Sequence, residues 1–474
     1  MSAYLLGNRT LTLGFAVLLG VVVVGAQGNA QRGAQESPRP GAGDAPGIGP
    51  DGNRVSPEPI GRPAAPSIKK SSGELDPSFA GDGTTWSYLP GYNGGTFEND
   101  VAEAVAVDAA GGIIVATHGE RDPSYLSRAF AILRYNADGT PDMTFGSNGL
   151  AAPFAGQAGR VRAMVIQPDG RIVVAGSAGF SVARLMADGS LDASFGSGGQ
   201  VQTLIRGQAY AMALQTDGRI VLAGYAEPVQ GAGSVLALAR YDSDGSLDVS
   251  FGAGGVVLGD SPGIASAVAV QPDGRIVVVG GAFLVTRFNA DGTLDAGFGS
   301  GGQVVVPFGE VGFDSLANAI LVQPDGRIVV AGGTTLSRYD FAIARLDPDG
   351  NLDQGFGHDG MVTTDFNGGF DQIRALVLQP DGRIVAAGYG GPAHRLPNDN
   401  HFALARYEPN GALDRSFGQS GRAMAVIDDP IYSDFARALA LQPDGRLVAA
   451  GNVRFFCETG GCNLSGYALA CFLP

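Results

Sequence analysis

The stretch GELDPSFAGDGTTW, residues 73–86, has close counterparts later in the chain: GSLDASFGSGGQV from Gly189, GTLDAGFGSGGQV from Gly292 and GNLDQGFGHDGMV from Gly350. Each counterpart follows an apolar run ending in a turn, as FAIARLDPDG (341–350) does before the last of them. Residues 73–86 instead follow a segment, 27–72, rich in Pro, Gly, Ala, Gln and Ser, with almost no aromatic or β-branched residues. Such a composition cannot bury enough surface to order itself. The folded part therefore opens with the closing phrase of its own repeating unit, and that placement decides the fold.

The unit is marked twice. QPDGRIVVAG from Gln167 recurs almost unchanged at Gln215, Gln271, Gln323, Gln379 and Gln442, with a degenerate copy, DAAGGIIVAT, from Asp108. An LD or PD followed by Phe places its aspartate at Asp76, Asp142, Asp192, Asp248, Asp295, Asp353 and Asp414. Each marker occurs seven times, and Asp76 to Asp414 spans six steps with a mean period of about 56 residues. Self-similarity at a fixed period implies stacked structural units. In the fifth unit, strand a is ANAILVQ from Ala317, strand b RIVVAG from Arg327, strand c FAIARL from Phe341 and strand d MVTTDF from Met361. Asp-Gly turns join a to b and c to d, and glycine accepts the positive φ such hairpins need. Two hairpins make a four-stranded antiparallel sheet.

Seven such sheets predict an all-β, seven-bladed β-propeller. Strand a is apolar on both faces (AMVIQ, AMALQ, AVAVQ), as a strand enclosed between neighbouring blades must be. Phe79, Phe145, Phe195, Phe251, Phe298, Phe356 and Phe417 fill the gaps between blades. The last unit, from Asp434, supplies strands a, b and c and ends at YALACFLP without strand d. Residues 73–89 are the missing outer strand, so the two ends pair and no open sheet edge remains.

The phrases LDASFG, ALARY and QPDGRIVVAG resemble the delta-60 repeat family, and the resemblance covers roughly residues 74–474. It implies bacterial, exported, propeller-like repeats and brings no established activity or catalytic residues.

Residues 1–26 are expected to be a signal peptide, with Arg9 before the apolar Leu11–Ala26 and small residues at Val24 and Ala26 ahead of a cleavage site. Residues 27–72 are expected to be a disordered Pro/Gly-rich linker, and 73–474 the propeller. No later segment is long and apolar enough to span a membrane. The protein is thus expected to be exported (periplasmic, cell-surface or secreted) and monomeric. The formal net charge of −15 argues against nucleic acid as a partner.

The a–b and c–d turns share one face of the disc and hardly vary. The opposite face carries the b–c and d–a loops, which are long in units 1, 6 and 7. Variable loops on a rigid scaffold are where binding usually resides. Candidate binding-face residues are Tyr92, Phe97, His118, Tyr125, Phe370, His394, His401 and Tyr432. Asp100, Asp314, Asp371 and Asp434 precede strand a and are expected near the channel mouth, as candidate ligands for Ca²⁺ or as solvated turn residues. No other cofactor is implied. An arginine near the end of strand c, typified by Arg345, is expected to pair with the LD aspartate across the turn, here Asp353; the seventh unit has Cys471 instead. Cys457 and Cys462, on one loop of an exported protein, are expected to form a disulfide.

Neither a G-x-S-x-G elbow nor an H-E-x-x-H zinc motif occurs. The expected function is therefore a non-enzymatic binding module, using its loop-rich face for a protein, glycan or envelope component. The alternative is a propeller hydrolase or lyase with an acidic, calcium-binding channel mouth and histidines drawn from His118, His394 and His401.

Overall fold

The computed structural model describes residues 71–87, 100–120, 128–154, 160–176, 179–229, 233–308, 315–334, 340–391, 400–427, 433–456 and 463–474. These form seven four-stranded antiparallel sheets. Among the described residues no helix is long and apolar enough to cross a membrane. Blade 5 shows the plan: strand a is Leu316–Val322, b Ile328–Thr334, c Asp340–Leu346 and d Met361–Thr364, paired in that order. Each strand a packs beside the strand a of the blades on either side, and blade 7 returns to blade 1, so the inner strands close a ring around the axis.

The seventh sheet settles the question raised by residues 73–86. Its strands are Asp434–Leu441, Leu447–Phe456, Asn463–Phe472 and, from the other end of the chain, Thr84–Ser87. Thr84 lies opposite Ala470 and Ser87 opposite Tyr467. The c–d turn of this blade is built from two separate pieces of chain. Gly73 N donates to Leu473 O at 3.0 Å and Leu473 N to Glu74 O at 2.8 Å, matching Gly189 N to Met186 O and Met186 N to Ser190 O in the unbroken turn of blade 2. Gly73 has φ +81°, and a Cβ there would lie 2.6 Å from Gly418 N, so the seam needs glycine as the intact turns do.

Blades are joined by a relay of backbone hydrogen bonds. The residue after each inter-blade phenylalanine donates to a carbonyl in the c–d turn of the next blade: Gly146 to Asp188, Gly196 to Asp244, Gly252 to Asp291, Gly299 to Asp349, Gly357 to Asn410, Gly418 to Ser72 and Ala80 to Asp138, at 2.6–2.9 Å. The last two pass through the seam. The seven phenylalanines are fully enclosed.

The strand-c arginines do more than pair across their own turn. Arg345 Nε donates to Asp353 Oδ2 at 2.8 Å, its guanidinium stacks 4.6 Å from the Phe356 ring centroid, and Nη1 donates to the Pro409 carbonyl of blade 6. Arg184, Arg240 and Arg287 repeat the arrangement, each reaching a carbonyl of the following blade. Each aspartate is shared with the arginine of the QPDGR-type turn, as Asp353 is with Arg327 at 3.0 Å. In blade 7 Cys471 stands in the strand-c position, buried and unpaired with another cysteine, and Arg446 reaches Asp76 at 3.2 Å.

Candidate binding site at the channel mouth

Every inner strand carries a β-bulge at the same place. The register of strand a against strand b slips around Glu103, Arg162, Tyr210, Ser266, Asn318, Arg374 and Arg437, one residue in each of blades 1 to 7. A bulge leaves one residue without a partner across the ladder and re-aims its side chain. In blades 2 to 7 strand b accommodates it with a glycine: a Cβ at Gly332 would fall 1.8 Å from Leu316 O, and one at Gly451 1.8 Å from Phe435 O; blade 1 has Thr117 there instead. Strand a starts on the loop-rich face, so these seven positions form a ring at that mouth of the axial channel.

The ring is contiguous. Glu103 of blade 1 reaches the bulge residues on both sides: Oε1 lies 3.8 Å from Arg162 Nη1 of blade 2, and Oε2 lies 3.6 Å from Arg437 Nη1 of blade 7. Glu103 is only 2% exposed. The strand-b residue beside several bulges adds a second tier. His118 Nδ1 is 3.9 Å from Glu103, Asn452 Oδ1 accepts from Arg437 Nε at 3.1 Å, and the Tyr225 ring lies 5.6 Å from that of Tyr210. The Arg374 guanidinium lies 5.5 Å from the Tyr389 ring centroid, and Tyr389 is held by its hydroxyl on Gln372 Oε1 and by edge-on packing against Phe435. Burial pulls the Arg437 pKa down; Glu103 opposes this, while Arg374 and Arg162 add to it. The charged arc (Arg374, Arg437, Glu103, Arg162) runs through blades 6, 7, 1 and 2. The neutral arc (Tyr210, Ser266, Asn318) covers blades 3 to 5.

The sequence reading placed other residues at this mouth. Asp100, Asp371 and Asp434 are all buried, and the last two hold loop backbone. Asp371 accepts from Phe366 N at 2.6 Å and Gly391 N at 3.2 Å, and Asp434 accepts from Ile427 N at 2.9 Å. Among the described residues these three form no joint ligand cluster, and the charge at the bulge positions is mainly guanidinium. Asp371 instead joins Asp340 and Asp365, whose carboxylate oxygens lie within 4.8 Å of one another, and this trio is where a hard cation would find oxygens. Burial pushes the Asp371 pKa up to about 7, with the two backbone donors pulling it back and Asp365 and Asp340 raising it further.

His118 and His401, read as rim residues, are both buried. Strand b of blade 1 continues through His118 to Glu120, and strand c of blade 6 begins at His401, whose Nδ1 is 3.8 Å from Asp434. Phe370 does stand out on the loop-rich face, 57% exposed. Tyr92, Phe97, Tyr125, His394, Tyr432, Asp314, Cys457 and Cys462 lie outside the described residues.

The bulge ring was missed because strand a reads as continuously apolar. Its trace is nonetheless in the sequence: each ring residue stands five positions before the Gln of QPDG or its equivalent, Asp108 in blade 1.

With this geometry in place, comparison with known proteins is consistent on the fold. A family model described as a β-propeller domain of unknown function (DUF5122) matches residues 124–145, 167–195, 215–251, 271–298, 323–356 and 379–417. The chain is a β-propeller repeat protein. No curated protein matches it at a significant level. Among solved structures it is similar to a protein of unknown function from Dyadobacter fermentans (13% identity, 83% of this chain and 100% of that one, TM-score 0.44). It is also similar to a catalytically inactive virginiamycin B lyase from Staphylococcus aureus with quinupristin (11% identity, 82% and 98%, TM-score 0.49). A third is a protein of unknown function from Bacteroides caccae (9% identity, 72% and 98%, TM-score 0.41). Nothing in the chemistry of the channel mouth is taken from these distant likenesses.

Proposed function

We propose that this propeller, of the delta-60 repeat type, is an exported, non-enzymatic binding module. It takes a protein, glycan or envelope component at the loop-rich mouth of its channel, with the long loops of blades 1, 6 and 7 beside the site. The carrying observation is the bulge ring. The turns and the inter-blade contacts repeat almost residue for residue, whereas the bulge position runs Glu, Arg, Tyr, Ser, Asn, Arg, Arg. A position kept only for packing would repeat like the others; one that meets a ligand of its own shape would not. Three of the four members of the charged arc, Arg374, Arg437 and Glu103, also belong to blades 6, 7 and 1, whose loops are longest; Arg162 belongs to blade 2, whose b–c loop is short. The hydrolase or lyase alternative calls for convergent carboxylates at the mouth, and among the described ring residues there is one, Glu103, set between guanidiniums.

The test is loop replacement. Residues 121–127, 392–399 and 457–462 are exchanged for the short b–c connection of blade 4, and sedimentation with envelope fractions and extracellular polymer is measured. The reading expects binding by the parent protein, loss in the shortened variants and an unchanged melting temperature. Equal binding by parent and shortened variants, or none by the parent, would sink it.

A further inference from the structure

Resting on that reading, we propose that the ligand presents an oxyanion, a carboxylate or phosphate group, to Arg374, Arg437 and Arg162 at the channel mouth. The chain carries a formal net charge of −15, yet the ring sets three arginines against one glutamate. A guanidinium stays charged at any ordinary pH, so it cannot relieve its burial by losing a proton. Partly buried like charges are costly unless an anion joins them. Among the described ring residues the guanidiniums outnumber the one carboxylate.

The Glu103 oxygens stand 3.6–3.8 Å from Arg437 and Arg162, beyond direct hydrogen-bond length. Glu103 marks where a carboxylate sits between these two guanidiniums without saturating the donors of Arg437. Arg374 has no carboxylate partner among the described residues, and Tyr389 orients it through a ring face. Asn452 fixes Arg437 by Nε and leaves its Nη edge toward Glu103. A planar fork held at its base and open at its tip is suited to two-point recognition of carboxylate or phosphate. Tyr210 is buried beneath the Arg162 guanidinium, and the partly buried Tyr225 and Tyr389 flank the ring as flat apolar surfaces for the body of the ligand. The acidic bulk of the protein repels polyanions, so the site suits a small ligand or one isolated anionic group.

The test is calorimetric titration at low ionic strength with inorganic phosphate, galacturonate and glucose. The first two separate a phosphate from a carboxylate source, and glucose is the neutral control. The wild type should bind phosphate or galacturonate and not glucose. Arg374→Gln should weaken that binding roughly tenfold or more at unchanged melting temperature, and Arg374→Lys should fall between. Glu103→Gln removes the internal competitor and should bind several-fold more tightly, a gain that a structural network does not give. Absence of oxyanion binding by the wild type at about 10 mM, or full binding by Arg374→Gln, overturns the proposal. Because Arg374 is only partly buried, its variants remain informative even if Glu103→Gln does not fold. If loop replacement abolishes envelope binding while Arg374→Gln retains it, this inference fails and the broader reading stands.

Discussion

Asp371 shows how far one residue's behaviour can depart from its type. Its carboxyl is buried with Asp340 and Asp365 nearby, and its pKa is pushed up to about 7. The unfolded chain releases the same proton near pH 4. Between these values the folded state binds more protons than the unfolded, so stability falls as pH rises from about 4 to about 7 and levels off above. The loss is on the order of a few kcal/mol, since each unit of pKa difference is worth about 1.4 kcal/mol. Asp371→Asn cannot ionise and should lose one backbone hydrogen bond at every pH. Its melting temperature relative to wild type should therefore improve from pH 5 to about pH 7 and then level off; a constant difference would refute the assignment. This was not legible from sequence, because an aspartate before a strand reads as a solvated turn residue. The burial of His118 was not legible either: it follows a run that resembles the other b strands, and the blade 1 hairpin carries it on to Glu120, beside Glu103. The ring arginines were hidden among alanines and valines that read as pure core.

At the scale of the strand and turn, the sequence was more informative. The Asp-Gly turns and the four runs per unit fall where the hairpins form, because turn chemistry and alternating burial are local. The pairing of Arg345 with Asp353 was also readable, from its constant spacing. Its partners in the next blade were not, since a carbonyl leaves no trace in composition. Arg345→Ala removes a partly buried ion pair, a ring contact and an inter-blade hydrogen bond. Arg327 remains on Asp353, so the loss should be smaller than for an orphaned charge, roughly 1–3 kcal/mol. A urea midpoint that does not move would show that the arginine only fixes register.

For the whole molecule, the number seven and the closure were legible because the repeat begins out of phase with itself. The ring is closed by contacts across nearly the full chain, such as Arg446 to Asp76, 370 residues apart. Deleting residues 73–89 should therefore lower the melting temperature of the entire disc and expose the edge of Asn463–Phe472. Deleting residues 27–70 should leave that temperature unchanged, and a loss comparable to the first deletion would mean that the segment belongs to the fold.

The split turn also sets an orientation. Ser71 and Pro474 both lie at the c–d turn of blade 7, on the face of the invariant turns, and the arginine ring opens on the opposite face. Whatever joins the disc at Ser71 meets it from behind. A protein held to a surface through that end turns its back to the anchor and its channel mouth outward.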